Sequence, residues 1–161
     1  MPTETGPFKF AAAREQDAPA MAALALAAYD VYVERMPRPP APMLLDYSQV
    51  VADGDTILAW RDAEVVGMIT VVVEPGGVLI QNVAVAPQTQ GTGLGSRLLA
   101  HAEQIARDAG RPQLRLYTNE AMVENVEFYR RRGFSEVRRA EEHGYRRVFF
   151  VKDLATSAPN D

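Results

Sequence analysis

The chain has 161 residues, 47% of them hydrophobic and 24% charged, a size and mixture that support one domain with a real core rather than a disordered or fibrous chain. Its formal net charge of -4 withholds the basic field on which non-specific nucleic-acid binding depends, so no nucleic-acid partner is expected. With no cysteine there is no disulfide, thiolate metal site or cysteine nucleophile, the two histidines do not fall at ligand spacing, and no stretch approaches the ~20 apolar residues of a membrane span.

No metal and no membrane are therefore expected, and, with no leader-like start, cytoplasmic placement is the default. Residues 1–7 and 155–161 are rich in Pro, Thr, Ser and Asn and read as flexible tails, leaving one domain over 8–154. Phe8, Lys9 and Phe10 open a short strand. Asp17 then reads as the N-cap of an Ala-rich helix over 18–33. The tip of that helix carries Tyr29, Tyr32, Glu34 and Arg35, followed by Pro37, Pro39, Pro40 and Pro42, which break regular structure before a second helical stretch over 43–51. This aromatic-flanked elbow reads equally as the border of a binding cleft, with those four residues on the acceptor side, or as a packed surface connector.

From Thr56 the period becomes strand-like, with strands over 56–61, 65–73 and 78–85 joined by short turns, hence antiparallel. A Gly-punctuated segment leads into a helix over 94–109, with Leu94, Leu98, Leu99, Ala102, Ile105 and Ala106 on one stripe. A strand over 113–117, a short helix over 122–132 closed by Gly133, and a hairpin over 134–152 turning at His143-Gly144 complete the chain. The order β-α-α-β-β-β-α-β-α-β-β predicts an α/β protein of the α+β type. Its sheet is mixed, mostly antiparallel, with about seven strands and about four flanking helices. The long crossover through the 94–109 helix makes its two flanking strands parallel.

Between the 78–85 strand and that helix lie Gln88-Thr89-Gln90-Gly91-Thr92-Gly93-Leu94-Gly95-Ser96. Glycines at alternate positions let a ligand approach the backbone, and the helix start adds partial positive charge, so the turn suits a pyrophosphate. Tight packing alone explains many such turns. Ser96 stands where a dinucleotide G-x-G-x-x-G would close, and no Lys-Ser/Thr pair follows as in a Walker A loop.

The strand, Pro87 and the Q-x-x-G-x-G run from Gln90 to Gly95, read with the element order, resemble the acetyl-CoA-binding motif of the GNAT superfamily of N-acetyltransferases. The resemblance implies the acyl-CoA N-acyltransferase fold, acetyl-CoA as co-substrate and a small-molecule or peptide amine as acceptor. A homodimer is in keeping with it. It further implies that the backbone of Val83 and Val85 lies along the pantetheine arm, and that the amides of Gly91, Thr92, Gly93, Leu94, Gly95 and Ser96 hold the pyrophosphate.

The stretch from Tyr117 to Phe134, a strand and then a helix bearing Tyr129 and ending in Gly133-Phe134, is similar to the family's second signature. By that resemblance Tyr129 is the general acid for the departing thiolate. A thiol pKa of about 8.5 against about 10 for a phenol makes the donation feasible at short range. Asn125, one helical turn before Tyr129, shares its face and is assigned to the coenzyme. Where many relatives carry Asn seven residues before this Tyr, the chain has Met122, flanked by Asn119 and Asn125.

The general base is open: the strand before the turn offers Gln81 and Asn82, which take no proton, and Glu34, Glu120 and His143 stand as alternatives to plain solvated residues. An α-amino acceptor with a pKa near 8 needs little base at all. Arg130, Arg131, Arg132, Arg138, Arg139, Arg146 and Arg147 read either as helix-end and hairpin surface charges or as attraction for the coenzyme's 3′-phosphate or an acidic substrate tail. Two other readings stand beside acetyl transfer by direct attack, which the lack of a cysteine nucleophile favours over an acyl-enzyme. One is a non-catalytic acyl-CoA-binding module and the other a different nucleotide-binding α/β protein.

Overall fold

The β-branched runs and short polar turns of the middle of the chain form a seven-stranded sheet in the computed structural model, which describes residues 7–154. The expected tails, apart from Pro7, lie outside the described residues. The strands are β1 (Lys9–Ala12), β2 (Asp55–Arg61), β3 (Glu64–Glu74), β4 (Gly77–Val85), β5 (Gln113–Asn119), β6 (Ser135–Glu142) and β7 (Tyr145–Asp153). The helices are α1 (Ala18–Tyr29), α2 (Tyr47–Asp53), α3 (Leu94–Asp108) and α4 (Val123–Arg131).

Sheet order is β1-β2-β3-β4-β5-β7-β6. Every neighbouring pair is antiparallel except β4 and β5, which the crossover through α3 makes parallel. Residues 66–71 of β3 are buried without a break, which a strand shows when both its faces are covered. Helix α3 covers one face, burying Leu94, Leu98, Leu99, Ala102 and Ala106. Gly67 on β3 sits under Leu94, and a Cβ there would stand 2.9 Å from the leucine's Cδ2. Met21, Leu24, Ala25 and Tyr29 on α1 join the same continuous core.

Two local expectations change. Asp17 precedes α1, but its carboxylate accepts from the Arg14 amide at 2.8 Å and closes the preceding 3-10 turn instead of capping the helix. The α-helix stops at Tyr29 and tightens into a 3-10 segment, Asp30–Arg35. The elbow splits the second helical stretch into a 3-10 turn, Ala41–Leu44, and α2, whose N-cap Asp46 accepts from the Ser48 amide at 3.0 Å.

One irregularity positions the site. Strands β4 and β5 pair only at Val78 with Leu114 and Leu79 with Arg115, and then part. At that point β4 carries a bulge: Val71 faces Ile80 and Thr70 faces Asn82, leaving Gln81 as the extra residue. A bulge bends its strand, and here the bend opens a wedge between β4 and β5.

Candidate active site

Beyond the wedge the main chain of β4 has no strand neighbour on the β5 side, and side chains meet its carbonyls instead. Tyr29 donates its hydroxyl to the Val83 carbonyl at 2.8 Å, and Gln90 Nε2 donates to the Val85 carbonyl at 3.4 Å. Past Val85 a 3-10 turn, Pro87–Thr89, carries the chain toward α3. Thr89 Oγ1 donates to the Ala86 carbonyl at 2.8 Å and Thr92 Oγ1 to the Thr89 carbonyl at 2.6 Å, fixing the loop from within.

Gly91 and Gly93 have φ of +83° and +88°, and a Cβ added at either would meet no protein atom within 4 Å. Left-handed backbone turns successive amides to one side. The first amides of a helix have no intrahelical acceptor, and the first such bond here is Arg97 N–H to the Gly93 carbonyl at 3.1 Å. Among the described residues, none of the amides of residues 91–96 donates to a protein acceptor. Gly95 has another role: a Cβ there would lie 2.8 Å from Phe128 Cζ, so α4 packs against the start of α3 through that ring. Arg132 stacks on Phe128 with its guanidinium carbon 3.7 Å from the ring centre and donates to Ser96 Oγ at 2.7 Å.

Two cavities meet in the wedge. One, of about 240 Å³, lies against the turn and is lined by Tyr32, Val83, Val85, Gln90, Gly91 and Phe128 among others. The second, of about 120 Å³, lies between the diverging strands and the proline elbow, against Met36, Leu45, Ile80, Leu116, Met122 and Arg147. Tyr29, Val83, Asn125 and Tyr129 line both and so form the wall between them.

Tyr129 is held in place by edge-on contacts with Phe128 and Phe134, ring centres 5.3 and 5.5 Å away. Its hydroxyl has no protein partner among the described residues. Burial, and then the Tyr32 phenol nearby, raise its pKa above the ordinary tyrosine value, so it stays protonated at neutral pH. Behind it runs a buried chain of hydrogen bonds. Tyr29 reaches Asn82 Oδ1 at 3.2 Å, Asn82 Nδ2 donates to the Tyr47 hydroxyl at 3.2 Å, and Tyr47 donates to the Pro42 carbonyl at 2.6 Å. Burial drives the Tyr29 pKa well up and that of Tyr47 to about 12.

The remaining sequence candidates distribute unevenly. Asn125 accepts from the Tyr32 hydroxyl at 3.4 Å and faces both cavities, whereas Asn119 faces the second cavity alone, accepts from the Ala121 amide at 2.9 Å and caps the turn into α4. Arg35 is bound by Glu124 through both carboxylate oxygens at 2.6 and 2.8 Å. These hydrogen bonds hold the Glu124 pKa at about 2. Glu34 is exposed and lines neither cavity. Glu120 is drawn into ion pairs with Arg139 and Arg146 at 3.6 and 3.4 Å, and His143 sits at the exposed tip of the β6-β7 turn. None of these three base candidates borders the wedge. Tyr47 escaped the sequence reading, and Asn82 entered it only as a side chain that takes no proton, though a buried amide in a core strand is the kind of signal that marks a polar network.

The sequence profile of the acetyltransferase (GNAT) family matches residues 19–134. The chain belongs to the GNAT acetyltransferase family. Among curated proteins none matches the sequence. Solved structures give the fold. The PaiA N-acetyltransferase of Thermoplasma acidophilum, solved with coenzyme A, superposes with a TM-score of 0.79 at 15% identity over 92% of this chain and 100% of that one. A GNAT acetyltransferase of Staphylococcus aureus gives 0.76 at 14% identity over 92% and 100%. One of Elizabethkingia anophelis with acetyl-CoA bound gives 0.66 at 19% identity over 91% and 98%. In this GNAT chain the family match runs from α1 to Phe134, spanning the turn, the wedge and Tyr129. Among the described residues no helix is long and apolar enough to cross a membrane, and no cluster of His, Asp and Glu fit to hold a metal occurs.

Proposed function

We propose that this GNAT protein transfers an acetyl group from acetyl-CoA to a primary amine in a ternary complex. The observation that carries the reading is the meeting of two cavities at Tyr129, one of them floored by a turn whose amides have no protein acceptor. The turn fits the donor: a row of free N–H groups at a helix start matches a pyrophosphate, and open space over Gly91 and Gly93 admits it. The coenzyme complexes of the Thermoplasma and Elizabethkingia relatives support the same donor.

Acetyl-CoA would supply an activated thioester. The amides of Gly91, Thr92, Gly93, Leu94, Gly95 and Ser96 bind its phosphates, and the free edge of β4 at Val83 and Val85 orients the pantetheine arm. Asn125, on the shared wall, lies beside the arm's end. Tyr29 fixes the Val83 carbonyl, and Tyr32 braces Asn125. Transfer forms a C–N bond and breaks a C–S bond; the nitrogen gives up one proton and the sulfur takes one up.

Tyr129 faces the sulfur as the donor. Passing its proton to a thiolate of pKa about 8.5 is uphill by about 2 kcal/mol or more from a phenol at or above 10. Its first contribution is thus a hydrogen bond that strengthens as charge develops on sulfur. The proton released by nitrogen restores the balance. The acceptor enters from the elbow side, where the second cavity opens. Thiol release by purified protein given acetyl-CoA and a panel of amines tests the proposal. Amine-dependent release is expected, whereas coenzyme binding without release under any amine would make the protein a binding module.

A further inference from the structure

The acceptor cavity has a chemical bias. Met36, Leu45, Ile80, Leu116 and Met122 give it an apolar floor, and among its lining residues the only charged one is Arg147. Arg147 is deeply set, with 12% of its side chain exposed. Its guanidinium carbon stands 4.3 Å over the Tyr117 ring and 5.7 Å from that of Tyr145. Tyr145 in turn donates to the Pro39 carbonyl at 2.6 Å, which locks the elbow against this wall.

Glu142 pairs with Arg147 through a single bond to Nη1 at 2.9 Å, from a side chain 39% exposed. A guanidinium carries five N–H donors in a planar fork suited to carboxylates. One surface carboxylate keeps the charge compensated through a single donor, and the guanidinium, which lines the cavity, makes no other hydrogen bond to protein among the described residues. A polycationic acceptor would find no carboxylate among the lining residues to pair with its further charges, so burying them there goes uncompensated.

We infer that the acceptor is an amino acid with an apolar side chain, its carboxylate held by Arg147, its side chain on the Met36, Leu45 and Ile80 floor, and its amine turned toward Tyr129. This rests on the acetyltransferase reading and deepens it. The transfer is the one already balanced, with the amine nitrogen as nucleophile, coenzyme thiol as leaving group and the N-acetylamino acid as product. Arg147 takes no part in bond making; it binds the group that fixes the acceptor's orientation.

The test compares thiol release from acetyl-CoA with leucine, methionine and phenylalanine, with leucinamide, and with putrescine and spermidine. The amino acids should exceed their amides and the polyamines by at least about tenfold in kcat/KM, corresponding to about 1.4 kcal/mol. Arg147→Gln should raise KM for leucine about tenfold or more with a smaller change in kcat. It should also abolish the melting shift that N-acetylleucine gives the wild type while keeping the shift given by coenzyme A. Preference for leucinamide or the polyamines overturns the inference and leaves the transferase standing, and so does coenzyme binding without turnover of any amino acid. Failure to bind coenzyme A removes both.

Discussion

The Tyr29 hydroxyl donates to the Val83 carbonyl at 2.8 Å, linking the last residue of α1 to the strand edge that borders both cavities. The same oxygen lies 3.2 Å from Asn82 Oδ1, so one phenol serves two acceptors on β4. Tyr29→Phe leaves the buried Asn82 without that donor and is expected to cost about 1–3 kcal/mol of stability. Denaturant unfolding measures this, and a change below a few tenths would show that the network does not brace the strand. Turnover should fall as well, because the wall between donor and acceptor loses its tie.

The glycines of the turn separate into two kinds of effect. At Gly93, with φ of +88° and open space around an added Cβ, Gly93→Val strains the backbone and fills the approach to the amides. A ligand at 100 times its Kd adds about 2.7 kcal/mol to stability, so the coenzyme-dependent melting shift should vanish in this variant. Gly95→Ala instead pushes Phe128 away from α3, with a Cβ 2.8 Å from the ring. It should lower the melting temperature even without ligand. A Gly95→Ala protein with wild-type stability would contradict the packing role.

Tyr129→Phe keeps the ring contacts with Phe128 and Phe134 and removes only the hydroxyl. Turnover should drop ~10²-fold or more with KM for acetyl-CoA nearly unchanged. Steady-state kinetics over both substrates decide it, and unchanged kcat would take Tyr129 out of the chemistry.

The rate should rise with pH along the acceptor's own deprotonation, because the acceptor cavity contains neither a carboxylate nor a histidine. The raised pKa of Tyr129 keeps the donor protonated through the same range, so no loss of activity is expected as pH climbs toward 10. A pH profile with amines of different pKa should show the inflection following the amine. A fixed inflection near 6 or 7 would reveal a base on the protein.

Glu124 carries a pKa lowered from 4.5 to about 2 by the Arg35 guanidinium. A depressed folded-state value means that the pair stabilises the protein above pH 4.5 and that this contribution fades as pH falls toward about 2. Glu124→Gln should flatten that part of the acid-unfolding curve. Both side chains reach solvent, 36% and 55% exposed, so high salt should shrink the difference between the two proteins. Parallel curves at low ionic strength would show that the pair adds nothing.

The order of elements was legible because β-branched runs bounded by short turns mark the central strands and Leu94, Leu98, Leu99 and Ala102 mark α3 directly. The elbow was read less closely: Pro39, Pro40 and Pro42 announce a break, and Asp46, a strong N-cap type after the apolar Met43, Leu44 and Leu45, marks the later start of α2 that the expected stretch over 43–51 passed over. The Gly-rich turn could be read as an anion cradle, while the distinction between Gly93, which needs its φ, and Gly95, which needs its missing Cβ, depends on Phe128, 33 residues away by the numbering of the chain. The acceptor side was harder still. Glu34, Arg35, Tyr29 and Tyr32 are neighbours in sequence but turn to solvent, to Glu124, to β4 and to Asn125. Arg147 joins the elbow only through the pairing of β7 with β5 and the Tyr145 contact with Pro39.

A sheet whose β4 and β5 separate after two paired positions carries an unfinished seam through its middle. Any bound molecule that offers amides to those edges acts as a temporary strand, and the two halves of the sheet become more firmly joined while it stays. Amide hydrogen exchange along the upper parts of both strands should slow when the seam is occupied and quicken when the product leaves. Rigidity of the molecule's centre would then follow the supply of its own substrate.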